Sequence, residues 1–456
     1  MGLSTISSAS RERALEMMKM PYTGFFETGA SNSRTVDSAA AGTAIMSGMK
    51  TNLDMINIPP KFEQGDKAAC TAEDKKTHPM LFELAIEKEM SVGVVTNGYL
   101  TGALVASAYA RTPDRKWRYE VDSDYEGKSG CQDIAQQLIT FNDNKGLHVA
   151  MGGGRHYFQS SASNVVNGKR TMDLIEKWQD EHPKGLFMEE ASHLNHPDLH
   201  HKNYLLGLFA EGPLDYKNSD HPSLKKMTSK AIDMLSNNPN GYILVVVNSN
   251  IDQAHHSNQA KLALMETLEL DKTLETIREK TSDKDTLVIV TADHDSPMVE
   301  HGENSLNSPV WGVATNAFGD AAMDDKGRRY TQLAYGNGPG NLQNITSEDF
   351  ESSYEDDEKY QYPALFPLQY ATHSPTMVPA FASGPGAHHL SGVHDQTELY
   401  RIIEEAIETP YEPPLWTDWR AWVVGGSIIV GLVTVVASFI LIRKYCCSSQ
   451  YGIVSH

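Results

Sequence analysis

Short, uninterrupted apolar runs rich in β-branched residues recur along this chain, and they constrain its fold more than any other feature. Amphipathic stretches such as residues 258–280 separate them, so the pattern predicts a buried, largely parallel β-sheet covered by helices, an α/β fold. The five runs are residues 91–96 (SVGVVT), 148–154 (HVAMGGG), 242–248 (YILVVVN), 286–291 (TLVIVT) and 378–384 (VPAFASG).

Two acidic and histidine-rich clusters directly follow predicted strands. Asp252 and His256 stand four residues apart, which places both on one face if the segment is helical. Asp293 and His294 are adjacent at the end of another run. In parallel sheets, chemistry gathers at the carboxyl ends of the strands, and Asp and His suit Zn²⁺. A polar network without metal is the alternative for either cluster alone.

The stretch RTVDSAAAGTAIMSG, residues 34–48, places Asp37 and Ser38 before a run of very small residues. We expect a helix that begins at Ser38. Its free N–H groups and positive dipole would favour an anion at that end. Small residues behind Ser38 would let such an anion approach closely. An Ala-rich core helix capped by Ser38 is the alternative.

The net charge of −20 excludes nucleic acid as a partner, since no basic stripe is present to neutralise phosphates. Residues 421–442 form an uncharged apolar run that predicts a transmembrane helix, with a buried core helix as the alternative. Arg443 and Lys444 follow it, so residues 443–456 are expected to be a cytoplasmic tail and the main domain extracellular. Asn344 begins a glycosylation sequon, in agreement with that compartment.

Six motifs together resemble the alkaline phosphatases, most closely the animal branch. The resemblance implies a three-layer αβα sandwich, hydrolysis of phosphate monoesters through a phosphoserine intermediate, two zinc ions, a homodimer and a membrane-anchored extracellular domain. The motifs, in chain order, are TVDSAAAGTA, LGLFAEGPLDY, IDQAHH, TADH, ATHS and SGPGAHHLSGVHDQT.

Site roles follow from this resemblance position by position. Ser38 is the implied nucleophile, and Arg115 is the implied ligand of two phosphate oxygens, oriented by Asp37. The first zinc would be held by Asp252, His256 and His373, the second by Asp293, His294 and the Ser38 oxygen. Cys70 and Cys131 match the disulfide of the animal branch, a bond that requires an oxidising compartment. Three further histidines match no ligand position and are expected in loops: His388, His389 and His394.

The chain also departs from the family pattern. Val247 and Leu104 stand where the family places magnesium ligands, so we expect that site to be degraded, because a hard cation needs several oxygens. The family's first strand and its metal-binding aspartate would precede Met1, and no secretory signal is present. We therefore expect a chain truncated at its N-terminus.

The predicted organisation divides the chain into six parts. A loop-rich acidic stretch interrupts the strand pattern, and a proline-stiffened stalk precedes the apolar run. The parts are a core of residues 1–296 that lacks the first strand, an inserted crown-like surface subdomain of residues 297–370, a return to the core at 371–408, a stalk at 409–420, the transmembrane helix at 421–442 and the tail at 443–456.

The function predicted from these observations is a zinc-dependent, membrane-anchored alkaline phosphatase. One alternative is a catalytically weak or inactive cell-surface relative that keeps the fold and binds zinc or phosphate compounds. Loss of the magnesium site favours that alternative, whereas Ser38, Arg115 and the complete first zinc set oppose it. A diesterase or sulfatase of the same superfamily is a third hypothesis, disfavoured by the context of the nucleophile.

Overall fold

The strands were located in a computed structural model that describes residues 1–73, 78–119, 130–159, 173–215, 218, 220–340 and 357–408. Each of the five predicted runs forms a strand. In chain order the strands are β1 (Tyr22–Glu27), β2 (Ser91–Tyr99), β3 (Val149–Gly153), β4 (Leu186–Met188), β5 (Leu205–Leu208), β6 (Tyr242–Val247), β7 (Val288–Val290), β8 (Met298–Glu300), β9 (Leu333–Gly338), β10 (Ala364–Pro367), β11 (Val378–Ser383) and β12 (Gly392–Asp395).

The helices lie between the strands, and the amphipathic stretch at 258–280 forms a long one, as predicted. The α-helices are α1 (Leu3–Glu12), α2 (Ser38–Ser47), α3 (Ala68–Thr71), α4 (Leu81–Glu87), α5 (Ala103–Ala106), α6 (Ile134–Asn144), α7 (Leu174–Glu181), α8 (Leu224–Leu235), α9 (Asn250–His256), α10 (Ala260–Lys280) and α11 (Glu398–Glu408).

Five parallel strands form one sheet in the order β4-β5-β3-β2-β6. Alternate side chains of β2 point to opposite faces, because the side-chain period of a strand is two. Val94 packs in a cluster with Phe82 of α4, whereas Val95 packs with Met227 of α8. Helices therefore cover both faces, which explains why the interior strand β2 is almost wholly buried and rich in apolar residues.

A second sheet has the order β12-β1-β11-β7 and mixed strand directions. Strand β1 runs parallel to β12, but β11 is antiparallel to both β1 and β7. The prediction of a mostly parallel sheet is therefore confirmed for the five-stranded sheet, while β11 departs from it. His394 lies on β12, and His388 and His389 lie in a short 3-10 helix, Ala387–Leu390, so the expectation of three loop histidines is wrong.

Each of the two larger sheets has an edge strand that leads to candidate ligands. Strand β6 is the last strand of the five-stranded sheet and β7 the last of the other, and the described residues show no pairing between them. All six residues of β6 are only partly buried, in contrast to β2. The chain enters α9 directly after β6 and reaches Asp293 directly after β7. Asp252 and His256 thus follow the carboxyl end of a strand in one sheet, and Asp293 and His294 follow that of a strand in the other.

Strands β10, β9 and β8 form a third, small sheet within the range predicted as an inserted subdomain. Residues Met1–Glu408 group as one compact unit, so the boundaries of that subdomain stay a prediction. No helix in the described ranges is both apolar enough and long enough to cross a bilayer. The stalk at 409–420, the predicted span at 421–442, the tail and the sequon residue Asn344 lie outside the described residues.

Cys70 and Cys131 form a disulfide, as the resemblance implied. The two residues are 61 positions apart in sequence, and chain-entropy reasoning assigns a loop of this length about 4 kcal/mol of stabilisation through the unfolded state. The bond ties α3 to the segment that leads into α6.

Candidate active site

Ser38 is the first residue of α2, and the helix begins there because Asp37 caps it. The Asp37 carboxylate accepts a hydrogen bond from the Ala40 N–H at 3.1 Å, so Asp37, not Ser38, is the N-cap. This frees the Ser38 hydroxyl for other partners. Small residues also serve packing, since a Cβ on Gly42 would lie 2.5 Å from the Ser107 hydroxyl.

The Asp37 carboxylate also binds the guanidinium of Arg115. Arg115 Nη1 lies 2.7 Å from Asp37 Oδ2, and the Asp54 N–H donates to the same oxygen at 3.2 Å. The Arg115 N–H in turn donates to the Asp54 carbonyl at 2.8 Å. One carboxylate therefore caps the helix of Ser38 and positions Arg115, which places a cation beside the hydroxyl.

Asp252, His256 and His373 meet in one cluster, as predicted, which we call the first cluster. Asp252 Oδ2 lies 3.3 Å from His256 Nε2, and Asp252 Oδ1 lies 3.7 Å from His373 Nε2. The two histidine Nε2 atoms are 3.4 Å apart. Asp252 and His256 face the same way because α9 is helical, and His373 arrives from the segment before β11. These three residues form the one group of three or more ligand side chains found among the described residues.

Backbone contacts fix the tautomers of both histidines. His256 Nδ1 donates to the Ala371 carbonyl at 2.6 Å, and His373 Nδ1 donates to the Val36 carbonyl at 2.8 Å. Both Nε2 atoms consequently turn lone pairs toward each other and toward the Asp252 carboxylate. Such an arrangement needs a cation or a proton between the atoms, and it is the usual arrangement of histidine ligands to a metal.

The electrostatics of the first cluster favour the metal-binding forms of Asp252 and His373, but they favour the protonated form of His256. Burial acts to raise the pKa of Asp252, but the hydrogen bond from His256 and the nearby histidine charges hold it far below its usual value. Burial, together with the charge of His294, lowers the pKa of His373 to about 4. Burial also acts to lower the pKa of His256, yet the hydrogen bond to Asp252 raises it above its usual value, so a proton competes with a metal for this nitrogen.

Asp293, His294 and Ser38 form a second cluster. The Ser38 hydroxyl lies 3.1 Å from His294 Nε2, and the same nitrogen lies 3.3 Å from Asp293 Oδ2. Burial acts to raise the pKa of Asp293, but the charge of His294, a further nearby positive charge and the hydrogen bond from Ser38 together lower the pKa below its usual value. The rings of His294 and His373 stack with centroids 3.4 Å apart, so the two clusters touch.

The donor atoms of both clusters fit a metal such as zinc. They are histidine nitrogens, carboxylate oxygens and one hydroxyl, the set that zinc accepts in catalytic sites. His294 Nδ1 is buried and has no hydrogen-bond partner within the described ranges, an unusual state for a buried ring nitrogen. By contrast, Val247 packs against the apolar core and offers no oxygen.

Gln396 supports the second cluster and was not among the predicted site residues. Its side-chain amide donates to the Asp293 carbonyl at 2.8 Å, and the residue is completely buried. The motif SGPGAHHLSGVHDQT contains it, but nothing local to that motif indicates a partner 103 residues away. Only the resemblance to a known family could therefore have indicated that Gln396 belongs to the site.

The family model that describes alkaline phosphatase matches residues 5–409, which is most of the chain. The chain belongs to the alkaline phosphatase family. It is 31% identical to the human tissue-nonspecific alkaline phosphatase over 441 residues, covering 89% of this chain and 81% of that protein. The corresponding chicken protein is 33% identical over 438 residues, covering 88% and 81%. The family predicted from the motifs is thus confirmed.

Solved structures of alkaline phosphatases share the fold. The enzyme of the Antarctic bacterium TAB5 superimposes with a TM-score of 0.61 at 22% identity, covering 90% of this chain and 95% of that one. The Thermus thermophilus enzyme gives a TM-score of 0.62 at 21% identity, covering 91% and 90%. These likenesses confirm an alkaline-phosphatase-like α/β fold with a central, mostly parallel sheet.

Proposed function

We propose that this member of the alkaline phosphatase family is a zinc-dependent phosphomonoesterase that works through a phosphoserine intermediate. The observation that carries the proposal is the position of the Ser38 hydroxyl. It lies at a helix N-terminus, 3.1 Å from His294 Nε2. Ser38 directly follows Asp37 in sequence, and the Asp37 carboxylate binds Arg115. A nucleophile, an anion-binding helix end and a guanidinium therefore converge.

Each of these groups has a separate task toward a phosphate monoester. Arg115 binds two phosphoryl oxygens, because its planar guanidinium presents paired N–H donors. The first N–H groups of α2 and the helix dipole favour the same negative charge. Ser38 Oγ attacks phosphorus, the ester bond to the alcohol breaks, and water later releases phosphate from the serine. The Ser38 hydroxyl, which lies 3.1 Å from His294 Nε2, loses its proton to solvent as the bond to phosphorus forms, and the departing alcohol takes up a proton.

Two zinc ions complete the proposed site. Asp252, His256 and His373 would hold one ion, and Asp293, His294 and the Ser38 oxygen the other. Bound zinc supplies positive charge for the phosphoryl oxygens and lowers the pKa of a bound hydroxyl or water. A magnesium ion is not part of the proposal, because Val247 and Leu104 contribute no oxygen ligands.

Turnover is better supported than binding without catalysis. An inactive relative that merely held zinc would not require a free hydroxyl or an oriented guanidinium next to the ligands. Here Asp37 maintains both, since it caps the helix of Ser38 and pairs with Arg115. The weak or inactive alternative accordingly has no specific observation in its favour beyond the lost magnesium ligands.

Zinc loading followed by an activity assay tests the proposal. The purified chain, loaded with Zn²⁺, is expected to bind two ions and to release phosphate from p-nitrophenyl phosphate at alkaline pH. Chelation should lower the rate by at least about 100-fold, because zinc supplies several kcal/mol of charge stabilisation, and added Zn²⁺ should restore it. Metal content is measured beside the rate. A chain that holds two zinc ions and releases no phosphate would contradict the proposal.

The site is further proposed to belong to a homodimer at the cell surface, anchored by residues 421–442. The disulfide between Cys70 and Cys131 supports an oxidising, extracellular location. An exposed apolar stretch supports self-association, since patches of this kind mark contact surfaces. It comprises Leu365, Phe366, Leu368 and Tyr370.

Cross-linking on intact cells tests the dimer and the location together. A membrane-impermeant, amine-reactive reagent should yield a species of twice the 50.4 kDa chain mass, and glutamate at Phe366 should reduce it. Glutamate at Leu306, an exposed apolar residue outside this stretch, is the control. Cross-linking seen only after lysis would contradict the surface location, and a monomer in both preparations would contradict the dimer.

A further inference from the structure

Glu266 is a deeply buried carboxylate that the proposed chemistry does not use. It lies on α10, is 2% exposed, and has no cationic hydrogen-bond partner among the described residues. A charge in such a position is costly unless hydrogen bonds compensate it. Three asparagine amides provide them: Asn97, Asn248 and Asn250.

These asparagines come from the elements that deliver the first cluster. Asn97 lies near the end of β2, Asn248 directly follows β6, and Asn250 is the first residue of α9. Asn250 Nδ2 donates to Glu266 Oε1 at 3.1 Å, and Asn248 Nδ2 donates to Glu266 Oε2 at 3.0 Å. Asn97 Nδ2 reaches Oε2 at 3.4 Å. The Glu266 carboxylate thus holds together the end of β2, the residue after β6 and the start of α9.

Further bonds make the network continuous with the backbone of α9. The Asn250 N–H donates to Asn248 Oδ1 at 3.1 Å, and the Ser249 N–H donates to Asn97 Oδ1 at 2.8 Å. Asn97 Nδ2 also donates to Asn248 Oδ1 at 2.8 Å. The first turn of α9 is therefore held by side chains at the point where its backbone N–H groups lack helical partners.

The register of α9 decides where two zinc ligands lie. Asp252 is two residues beyond Asn250, and His256 is the last residue of this seven-residue helix. A helix this short has little stability of its own, so its position depends on tertiary contacts. From this geometry we infer that Glu266 is a positioning residue, whose carboxylate fixes the start of α9 and through it the placement of Asp252 and His256.

The inference deepens the proposed metal site, and its test includes a readout that does not need metal. In the metal-free chain, Glu266→Gln should speed hydrogen exchange across residues 250–256 about tenfold, because an amide in place of the carboxylate turns an N–H toward an asparagine N–H. Asn250→Ala removes the opposite partner and should have a similar effect. The double variant should exchange no faster than about the worse single variant, since the two residues act on one contact.

Co²⁺ binding provides the second readout, with Glu269→Gln as the matched control. Glu269 lies one turn further along α10 and pairs with Lys272 at the surface. Glu266→Gln should weaken Co²⁺ binding about 10-fold to 100-fold and alter its visible absorption bands, as loss of a residue that orients ligands does. The Glu269 variant should match the parent in both measurements.

Two results would overturn the inference. One is unchanged exchange at residues 250–256 in the Glu266 and Asn250 variants, or acceleration spread evenly over the chain, which would indicate a general stabilising role. The other is parental Co²⁺ affinity and absorption in the Glu266 variant. A parent chain that binds no Co²⁺ would contradict the proposed function, and the exchange measurement would then decide the role of Glu266 alone.

Discussion

Replacing Ser38 with alanine is expected to lower kcat/KM for p-nitrophenyl phosphate by roughly 10³-fold to 10⁶-fold, the range seen when an enzyme loses its nucleophile. The hydroxyl at the start of α2 is the group that would form the bond to phosphorus, and alanine leaves that position without an oxygen. The first cluster does not include Ser38, so its zinc should remain bound. Rates and zinc content are measured on the same preparations.

Ser47→Ala is the matched control for this substitution. Ser47 is the last residue of the same helix, at the opposite end from Ser38, and its buried hydroxyl donates to the Thr43 carbonyl at 2.9 Å. We expect this variant to keep phosphatase activity close to that of the parent. Acid quenching during turnover should trap phosphate on the parent chain and not on the Ser38 variant. Equal turnover by Ser38→Ala and the parent would eliminate Ser38 as the nucleophile.

Replacing His373 with alanine is expected to lower zinc affinity at the first cluster by more than about 100-fold and to reduce phosphate release in parallel. Loss of a residue that merely orients a ligand costs 10-fold to 100-fold in metal affinity, and here a ligand itself is removed. The pKa of His373 is lowered to about 4, so the ring is neutral at pH 7. The substitution therefore removes a coordinating lone pair without changing the charge of the cluster.

His388→Ala controls for the loss of an imidazole. His388 is exposed on the 3-10 helix Ala387–Leu390 and contacts neither cluster. Competition with a chromophoric chelator measures zinc affinity in both variants. Unchanged affinity and two bound ions in the His373 variant would remove this residue from the zinc site. A similar loss in the His388 variant would show that the first cluster does not explain zinc binding.

The strands and the long helix could be predicted from the sequence because their patterns are local. Continuous apolar runs mark buried strands, and the spacing of apolar residues over 258–280 marks an amphipathic helix. The direction of a strand, by contrast, is not determined by its local sequence. The run at 378–384 resembles the others in composition, yet β11 is antiparallel to both of its neighbours, because direction depends on the path of the chain between strands.

Part of the site could also be predicted from the sequence. Asp252 and His256 share one face of α9 because they are four residues apart, which sequence spacing alone predicted. The helix cap could not be predicted, because Asp37 and Ser38 are both candidate caps. Only the hydrogen bond from the Ala40 N–H identifies Asp37 as the cap. Gln396 and Glu266 could not be identified locally, because their partners lie on distant segments that tertiary packing brings together.

The ends of β6 and β7 carry different ligands, yet no ladder of hydrogen bonds joins these strands in the described residues. Within one sheet, such a ladder holds neighbouring strands about 4.8 Å apart. Across this junction, the gap between the clusters depends on packed helices and on the stacked rings of His294 and His373. Because His373 precedes β11 of the second sheet, sliding of one sheet past the other would move it relative to Asp252 and His256, which follow β6 of the first. The geometry of the first cluster is thus set by how the two sheets pack against each other, and not by either sheet alone.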